Sequence, residues 1–153
     1  MIPRELKNNF FFKKILKYCA SSIKSESEVL KKLKDYETPS EELELILDTL
    51  RKFKFFFTDQ DYVLKFVENL SSVKGYSRIQ LKTKLLRKGL SSKVIDPILN
   101  NFFKSNEEDQ LNKFIQKNFS KLNRKPKEKR LQFLISKGFG VELSRKLLKH
   151  FDL

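Results

Sequence analysis

The sequence predicts an all-α fold made of three tandem three-helix repeats, and three observations predict it. The first is internal repetition. A shift of 52 residues carries Val29, Leu33, Leu43, Ile46, Leu47 and Leu50 onto Leu81, Leu85, Ile95, Ile98, Leu99 and Phe102. A shift of 49 the other way carries Leu134, Lys137-Gly138-Phe139, Leu147, Leu148 and Phe151 onto Leu85, Lys88-Gly89-Leu90, Ile98, Leu99 and Phe102. A period near 50 residues is the signature of a modular array, which offers an extended surface rather than one pocket. The second observation is helical apolar spacing, as in Phe12, Ile15, Leu16, Cys19 and Ile23 or Leu111, Phe114, Ile115 and Phe119, with no comparable alternating run. The third is a set of helix start and stop signals at matching places in the repeats.

Taken in order, the first repeat is expected to hold helices at about 5–23, 26–36 and 39–54, the second at about 59–72, 78–88 and 92–103, and the third at about 106–121, 127–137 and 141–151, each bound good to roughly two to four residues. Ser25-x-x-Glu28, Ser77-x-x-Gln80 and Ser105-x-x-Glu108 read as capping boxes, which satisfy orphan N–H groups at a helix start. Pro39 suits a first helical position, where its missing N–H costs nothing. Asp59 and Asp61 after Thr58 set carboxylates against a positive helix end. Gly75, Gly89 and Gly138 read as left-handed stops. Pro97 leaves two arrangements open: a kink in the sixth helix, or a shorter helix capped by Asp96. The modules are expected at 1–57, 58–104 and 105–153, stacked because their linkers are short. A unit of about 50 residues is marginal alone, so neighbouring modules should share cores.

Composition narrows the function. Lys and Arg number 33 against 19 acids, a net charge of +14, which suits an acidic partner such as nucleic acid, an acidic protein or an anionic membrane. The bias of Lys over Arg, with 15 Phe and one Ala, also fits a compositional preference without a charged site. Cys19 is the only cysteine and His150 the only histidine, so neither a disulfide framework nor a cysteine-based zinc site is available. Cys19 sits in an apolar stripe and is expected as a buried small residue; His150 suits a helix end. The N-terminus lacks a signal-peptide core and no apolar stretch approaches the ~18 residues of a membrane span, so no membrane partner and a cytoplasmic location are expected. Phe10-Phe11-Phe12 and Phe55-Phe56-Phe57 are expected as core or interface aromatics.

Two basic clusters are the candidate contact residues. Lys74, Arg78, Lys82, Lys84, Arg87 and Lys88 fill a 15-residue window without an acid. Lys121, Arg124, Lys125, Lys127, Lys129 and Arg130 fill another with only Glu128. Both lie along the middle helix of their module beside a glycine or proline turn, where backbone N–H groups approach phosphate. A phosphate- or acid-contacting ridge competes with plainly solvated helix faces, and six such charges in one window do not all share a face. Gly89 and Gly138 between short helices also permit a helix–turn–helix reading, though no set of side chains is arranged for base readout. No nucleotide-binding glycine loop is present, and the acids Glu41, Glu42 and Glu44, or Glu107, Glu108 and Asp109, read as helix-start charges rather than a catalytic or metal set. No enzyme activity, cofactor or metal is expected.

The ordered motifs resemble one family. Phe57-Thr58-Asp59-Gln60-Asp61-Tyr62-Val63, Phe66-Val67, Lys74-Gly75-Tyr76, Leu81, Leu85 and Lys88-Gly89-Leu90, then Arg130-Leu131, Phe133-Leu134 and Lys137-Gly138-Phe139, are similar in order and nearly in spacing to the RecX family, the bacterial regulators of the RecA recombinase. The resemblance covers roughly residues 12–151. It departs at Asp61, Glu68 and Leu70, where the family favours arginine, at Ser77-Arg78 in place of Gly-Pro, and at Tyr36-Glu37 in place of a Lys-Gly turn. It implies an elongated, curved helical array and a non-enzymatic, monomeric modulator acting in DNA repair, recombination and the SOS response. Such proteins lie along the RecA–single-stranded DNA filament and inhibit its ATPase, strand exchange and coprotease role, and some contact DNA directly. Lys74, Arg78, Lys82, Lys84, Arg87 and Lys88 of the first cluster, with Arg124, Lys125, Lys127, Lys129 and Arg130 of the second, are then the filament- or DNA-contacting residues. Two other classes stay in view: a free-standing basic helical nucleic-acid-binding protein, and a hydrolase or nuclease, which the absent metal-ligand set disfavours.

Overall fold

The computed structural model describes residues 1–153, and its named elements are helical, joined by turns and one isolated parallel bridge between Ser25 and Phe57. A 3-10 turn at Arg4–Leu6 precedes α1 (Phe10–Ser21), α2 (Glu26–Asp35), α3 (Ser40–Lys52), α4 (Asp59–Val73), α5 (Arg78–Arg87), α6 (Ser92–Lys117), α7 (Phe119–Arg124), α8 (Lys127–Ser136) and α9 (Val141–His150). The chain divides into two compact units, Met1–Tyr62 and Val63–Leu153.

In the first unit, Leu6, Phe12, Ile15, Val29, Leu33, Ile46, Leu47, Leu50 and Phe56 form one core. The aromatic triplets split as helix and extended geometry require: Phe12 and Phe56 are buried, whereas Phe10, Phe55 and Phe57 are exposed. The first helix starts later than expected because Asn9 Oδ1 accepts the Phe12 N–H at 2.9 Å and fixes the start there. Ser25 caps α2 by accepting the Glu28 N–H at 3.1 Å. Asp59 serves two helices at once: it opens α4, and it accepts the Ser27 N–H at 3.0 Å and the Ser27 hydroxyl at the start of α2. Pro39 sits at the N-cap of α3 rather than at its first helical position.

In the second unit, Leu111, Phe114, Ile115, Leu122, Leu134, Phe139, Leu147, Leu148 and Leu153 form a core. Leu81, Leu85, Leu90, Ile95 and Leu99 are buried along α5 and the first half of α6. Ser77 and Gln80 make the full reciprocal capping box at the start of α5. Pro97 lies inside α6, and the helix starting at Asp96 does not form.

The expected break between the sixth and seventh helices is absent, since α6 runs unbroken from 92 to 117. Ser105 can cap a helix but cannot stop one, and no glycine or proline lies between Ile98 and Lys117. Continuing the helix avoids two new ends with their unsatisfied backbone groups. The break comes instead at Asn118, whose side chain donates to the Phe114 carbonyl at 2.8 Å.

The turns closing α2, α5 and α8 share one geometry. The N–H groups of Thr38, Leu90 and Phe139 donate to the carbonyls of Leu33, Leu85 and Leu134 at 3.2, 3.3 and 3.2 Å. Glu37, Gly89 and Gly138 occupy the left-handed position with φ of 58°, 86° and 102°. Tyr36-Glu37 therefore makes the same turn without a glycine. Gly75 has a different role from the one expected. Its φ is not positive; a Cβ there would stand 2.0 Å from the Gln110 carbonyl oxygen and 2.3 Å from the Phe114 nitrogen on α6.

Candidate functional site

The first basic cluster separates into two groups because α5 buries Leu81 and Leu85 against the fold. Arg78 and Lys82, one turn apart, face α6. Arg78 donates to Asn100 at 2.9 Å and to Asp96 at 3.1 Å, and the Lys82 ammonium lies 2.8 Å from the same Asp96 oxygen. The hydrogen bond from Lys82 holds the Asp96 carboxyl below its ordinary range; the charges of Lys82 and Arg78 add to this, against partial desolvation. These two cations are engaged in joining α5 to α6. Lys84 and Lys88 point elsewhere: both are exposed, and their ammoniums stand 5.7 Å from the Tyr76 ring centroid and 5.9 Å from that of Phe66. Lys74 and Arg87 are also exposed.

The second cluster divides in the same way. Arg130 donates to four main-chain oxygens, of Leu122 at 2.9 Å, Lys125 at 3.2 Å, Leu153 at 2.8 Å and Asn123 at 3.0 Å. Its rigid fork gathers carbonyls at the end of α7 and that of Leu153. Lys121 and Lys125 instead lie over the Phe133 ring at 4.9 and 4.8 Å, and Lys137 joins them at 5.4 Å. The ring is backed by Phe114, with centroids 6.1 Å apart. Arg124, Lys127 and Lys129 are exposed. Lys137 is the residue that cluster counting missed; its i, i+4 spacing from Phe133 along α8 carried the signal.

Burial pushes the Cys19 thiol up to about 11, opposed by the nearby Lys24 charge. His150 is exposed at the end of α9, edge-on to Phe151. Glu107, Glu108 and Asp109 are not helix-start charges as expected, because α6 runs through them; Asp109 pairs with Lys113 at 3.0 Å and Glu108 with Lys146 at 3.4 Å. No group of three or more His, Cys, Asp or Glu side chains is placed to hold a metal ion. No helix is long and apolar enough to cross a membrane.

No family model matches the chain. Individual relatives do. A protein of Clostridium beijerinckii named Regulatory protein RecX is 30% identical over 140 residues, covering 88% of this chain and 64% of the relative. A protein of the same name from Streptococcus agalactiae serotype III is 29% identical over 143 residues, covering 90% of this chain and 54% of the relative. A crystal structure of regulatory protein RecX superposes with a TM-score of 0.68 at 26% identity, over 88% of this chain and 68% of that one. The chain is similar in sequence and in fold to proteins named Regulatory protein RecX. The fold agrees with that of RecX from Lactobacillus salivarius, at a TM-score of 0.73 and 16% identity over 93% of this chain and 94% of that one. The chain spans 64% and 54% of the length of the two curated RecX relatives. Those relatives are named as regulatory proteins.

Proposed function

We propose that the chain binds the RecA–single-stranded DNA filament and restrains its ATPase, strand exchange and coprotease activity, acting as a non-enzymatic regulator in the cytoplasm. The observation that carries this reading is the match along 88% of the chain to Regulatory protein RecX. In this reading the sequence repeats at 1–57, 58–104 and 105–153 supply repeated shape, with α6 running through the 104/105 boundary, and the exposed cations supply electrostatic attraction. Among the candidate residues, Lys84, Lys88, Arg87 and Lys74, with Arg124, Lys125, Lys127 and Lys129, are the contacts this reading uses. Arg78, Lys82 and Arg130 come second in this reading, because each already holds Asp96, Asn100 or main-chain oxygens within the fold.

The test combines RecA, single-stranded DNA and ATP with the protein. ATPase turnover should fall and the protein should co-sediment with filaments. Reversal of both charges in the K84E/K88E variant should weaken inhibition with helicity intact. Unchanged ATPase and no co-sedimentation would remove the reading, and equal inhibition by the double variant would move the contact off α5. A free-standing nucleic-acid-binding role is the second reading, favoured by the net charge of +14. It calls for salt-dependent strand binding without RecA.

A further inference from the structure

The turn between α1 and α2 and the segment after α3 border a cavity of about 370 Å³ within the first unit. Cys19, Ile23, Phe55 and Phe57 line it, with Lys24 and Lys54 as its charged side chains and no acid among its walls. Backbone pairing holds the two sides together. The Phe57 N–H donates to the Lys24 carbonyl at 2.9 Å, and the Glu26 N–H donates to the Phe57 carbonyl at 2.8 Å. The site is therefore built before anything enters it. Ile23, Phe55 and Phe57 are exposed, so three large apolar side chains meet solvent at one place. Lys24 contrasts with them at 9% exposure. Its ammonium donates to the Ser22 hydroxyl and lies over the Tyr18 ring at 4.6 Å, and no carboxylate pairs with it. A buried charge ordinarily holds a counter-ion, because desolvation is otherwise too costly. Apolar surface left in water, beside a buried cation without an anion, is the complement of one kind of molecule.

We propose that this cavity binds a small amphiphilic carboxylate, its head on Lys24 and Ser22 and its aliphatic tail along Ile23, Phe55 and Phe57. The Ser22 oxygen accepts from Lys24, which leaves its O–H to donate to the carboxylate. A doubly charged phosphate would need more donors than one ammonium and one hydroxyl. An uncharged apolar molecule would cover the rings and leave Lys24 without an anion. Cys19 lies in the apolar part, where the Lys24 charge opposes the rise that burial gives its thiol pKa. A carboxylate that neutralises Lys24 removes that opposition while the tail covers the sulfur, so both effects slow the reaction of the thiol.

The test uses the full chain without RecA or nucleic acid, so its outcome is separate from that of the filament reading. Cys19 is the only cysteine, so alkylation by iodoacetamide at mildly alkaline pH reports on this cavity alone. Hexanoate should slow the reaction several-fold and saturably. Hexan-1-ol, the tail without the charge, and acetate, the charge without the tail, should each bind about tenfold more weakly or worse. The Lys24→Met variant keeps the apolar stem and removes the charge. It should lower hexanoate affinity about tenfold and leave that of hexan-1-ol unchanged. The proposal is overturned if hexanoate gives no saturable protection, if acetate or hexan-1-ol protects as well, or if Lys24→Met keeps wild-type affinity for hexanoate. Should that variant lose helicity, the three compounds compared on the wild-type protein decide the matter alone.

Discussion

Replacing Gly75 by alanine separates two reasons for a glycine that look alike in the sequence. The added Cβ would stand 2.0 Å from the Gln110 carbonyl oxygen, 2.3 Å from the Phe114 nitrogen and 2.9 Å from the Phe114 Cα. Ordinary contact begins near 3.4 Å, so the loop must retreat from α6 by about 1.4 Å, the difference between 3.4 and 2.0 Å. All three obstacles are backbone in a helix and cannot swing aside. The retreat also pulls the Tyr76 N–H away from the Gln110 side-chain oxygen, now 3.1 Å distant, in a site where Gln110 is 1% exposed. Overpacking costs about 1–3 kcal/mol. The lost hydrogen bond adds about 1 kcal/mol, for a total of roughly 2–4 kcal/mol. At about 2–4 °C per kcal/mol for a chain of this size, melting should fall by roughly 5–15 °C. Gly89 is the control. Its φ of 86° disfavours a side chain, but the space around it is open, so Gly89→Ala should cost only about 1–2 kcal/mol. Thermal melting by circular dichroism gives the magnitudes. Hydrogen exchange should show lost protection at the end of α4 and in the last third of α6 in Gly75→Ala alone. A Gly75→Ala protein within about 1 kcal/mol of wild type, or one less affected than Gly89→Ala, would refute the close-approach argument.

Arg130→Gln removes four donations to main-chain oxygens and should cost about 2–4 kcal/mol, whereas Lys129→Gln should stay within about 0.5 kcal/mol; equal melting of the two would return Arg130 to the contact surface. The Cys19 thiol, raised to about 11 by burial, should be alkylated slowly at neutral pH, with a rate still climbing at pH 10; a plateau near 9 would show an exposed thiol. Because that pKa lies above the unfolded value, the thiol contributes stability below the unfolded pKa that is lost as pH rises toward 11. Asp96 works in the opposite sense. Its depressed pKa gives stability above the ordinary carboxyl range that is lost as pH falls, so Asp96→Asn should flatten the acid limb of the stability profile; an unchanged acid limb would show that the Lys82 and Arg78 contacts are not formed in solution.

The helical fold was legible because periodic apolar residues and caps are local signals. Ser77 with Gln80 and the left-handed Gly89 and Gly138 act where their sequence neighbours say they should. Other local signals were permissive rather than compelling. Ser105 offered a cap that α6 did not take, since a continuous hydrogen-bond ladder costs less than two open helix ends. Glu37 took a left-handed turn that the sequence reserves for glycine, with the Thr38 N–H closing onto the Leu33 carbonyl as in the other turns.

The sequence by itself determined the helices, most of their ends, the residues that fill the cores and the excess of cations. Each of these depends on side chains a few positions apart. The tertiary structure alone decided which cations are free. Arg78, Lys82 and Arg130 look no different in sequence from Lys84, Lys88 and Lys129, and only the approach of Asp96, Asn100 and main-chain carbonyls gives them partners within the fold. It likewise showed that Gly75 is a point of backbone contact, and that Cys19, Lys24 and Phe57 line one cavity. A charge count has no direction. A contact surface needs one, and packing supplies it.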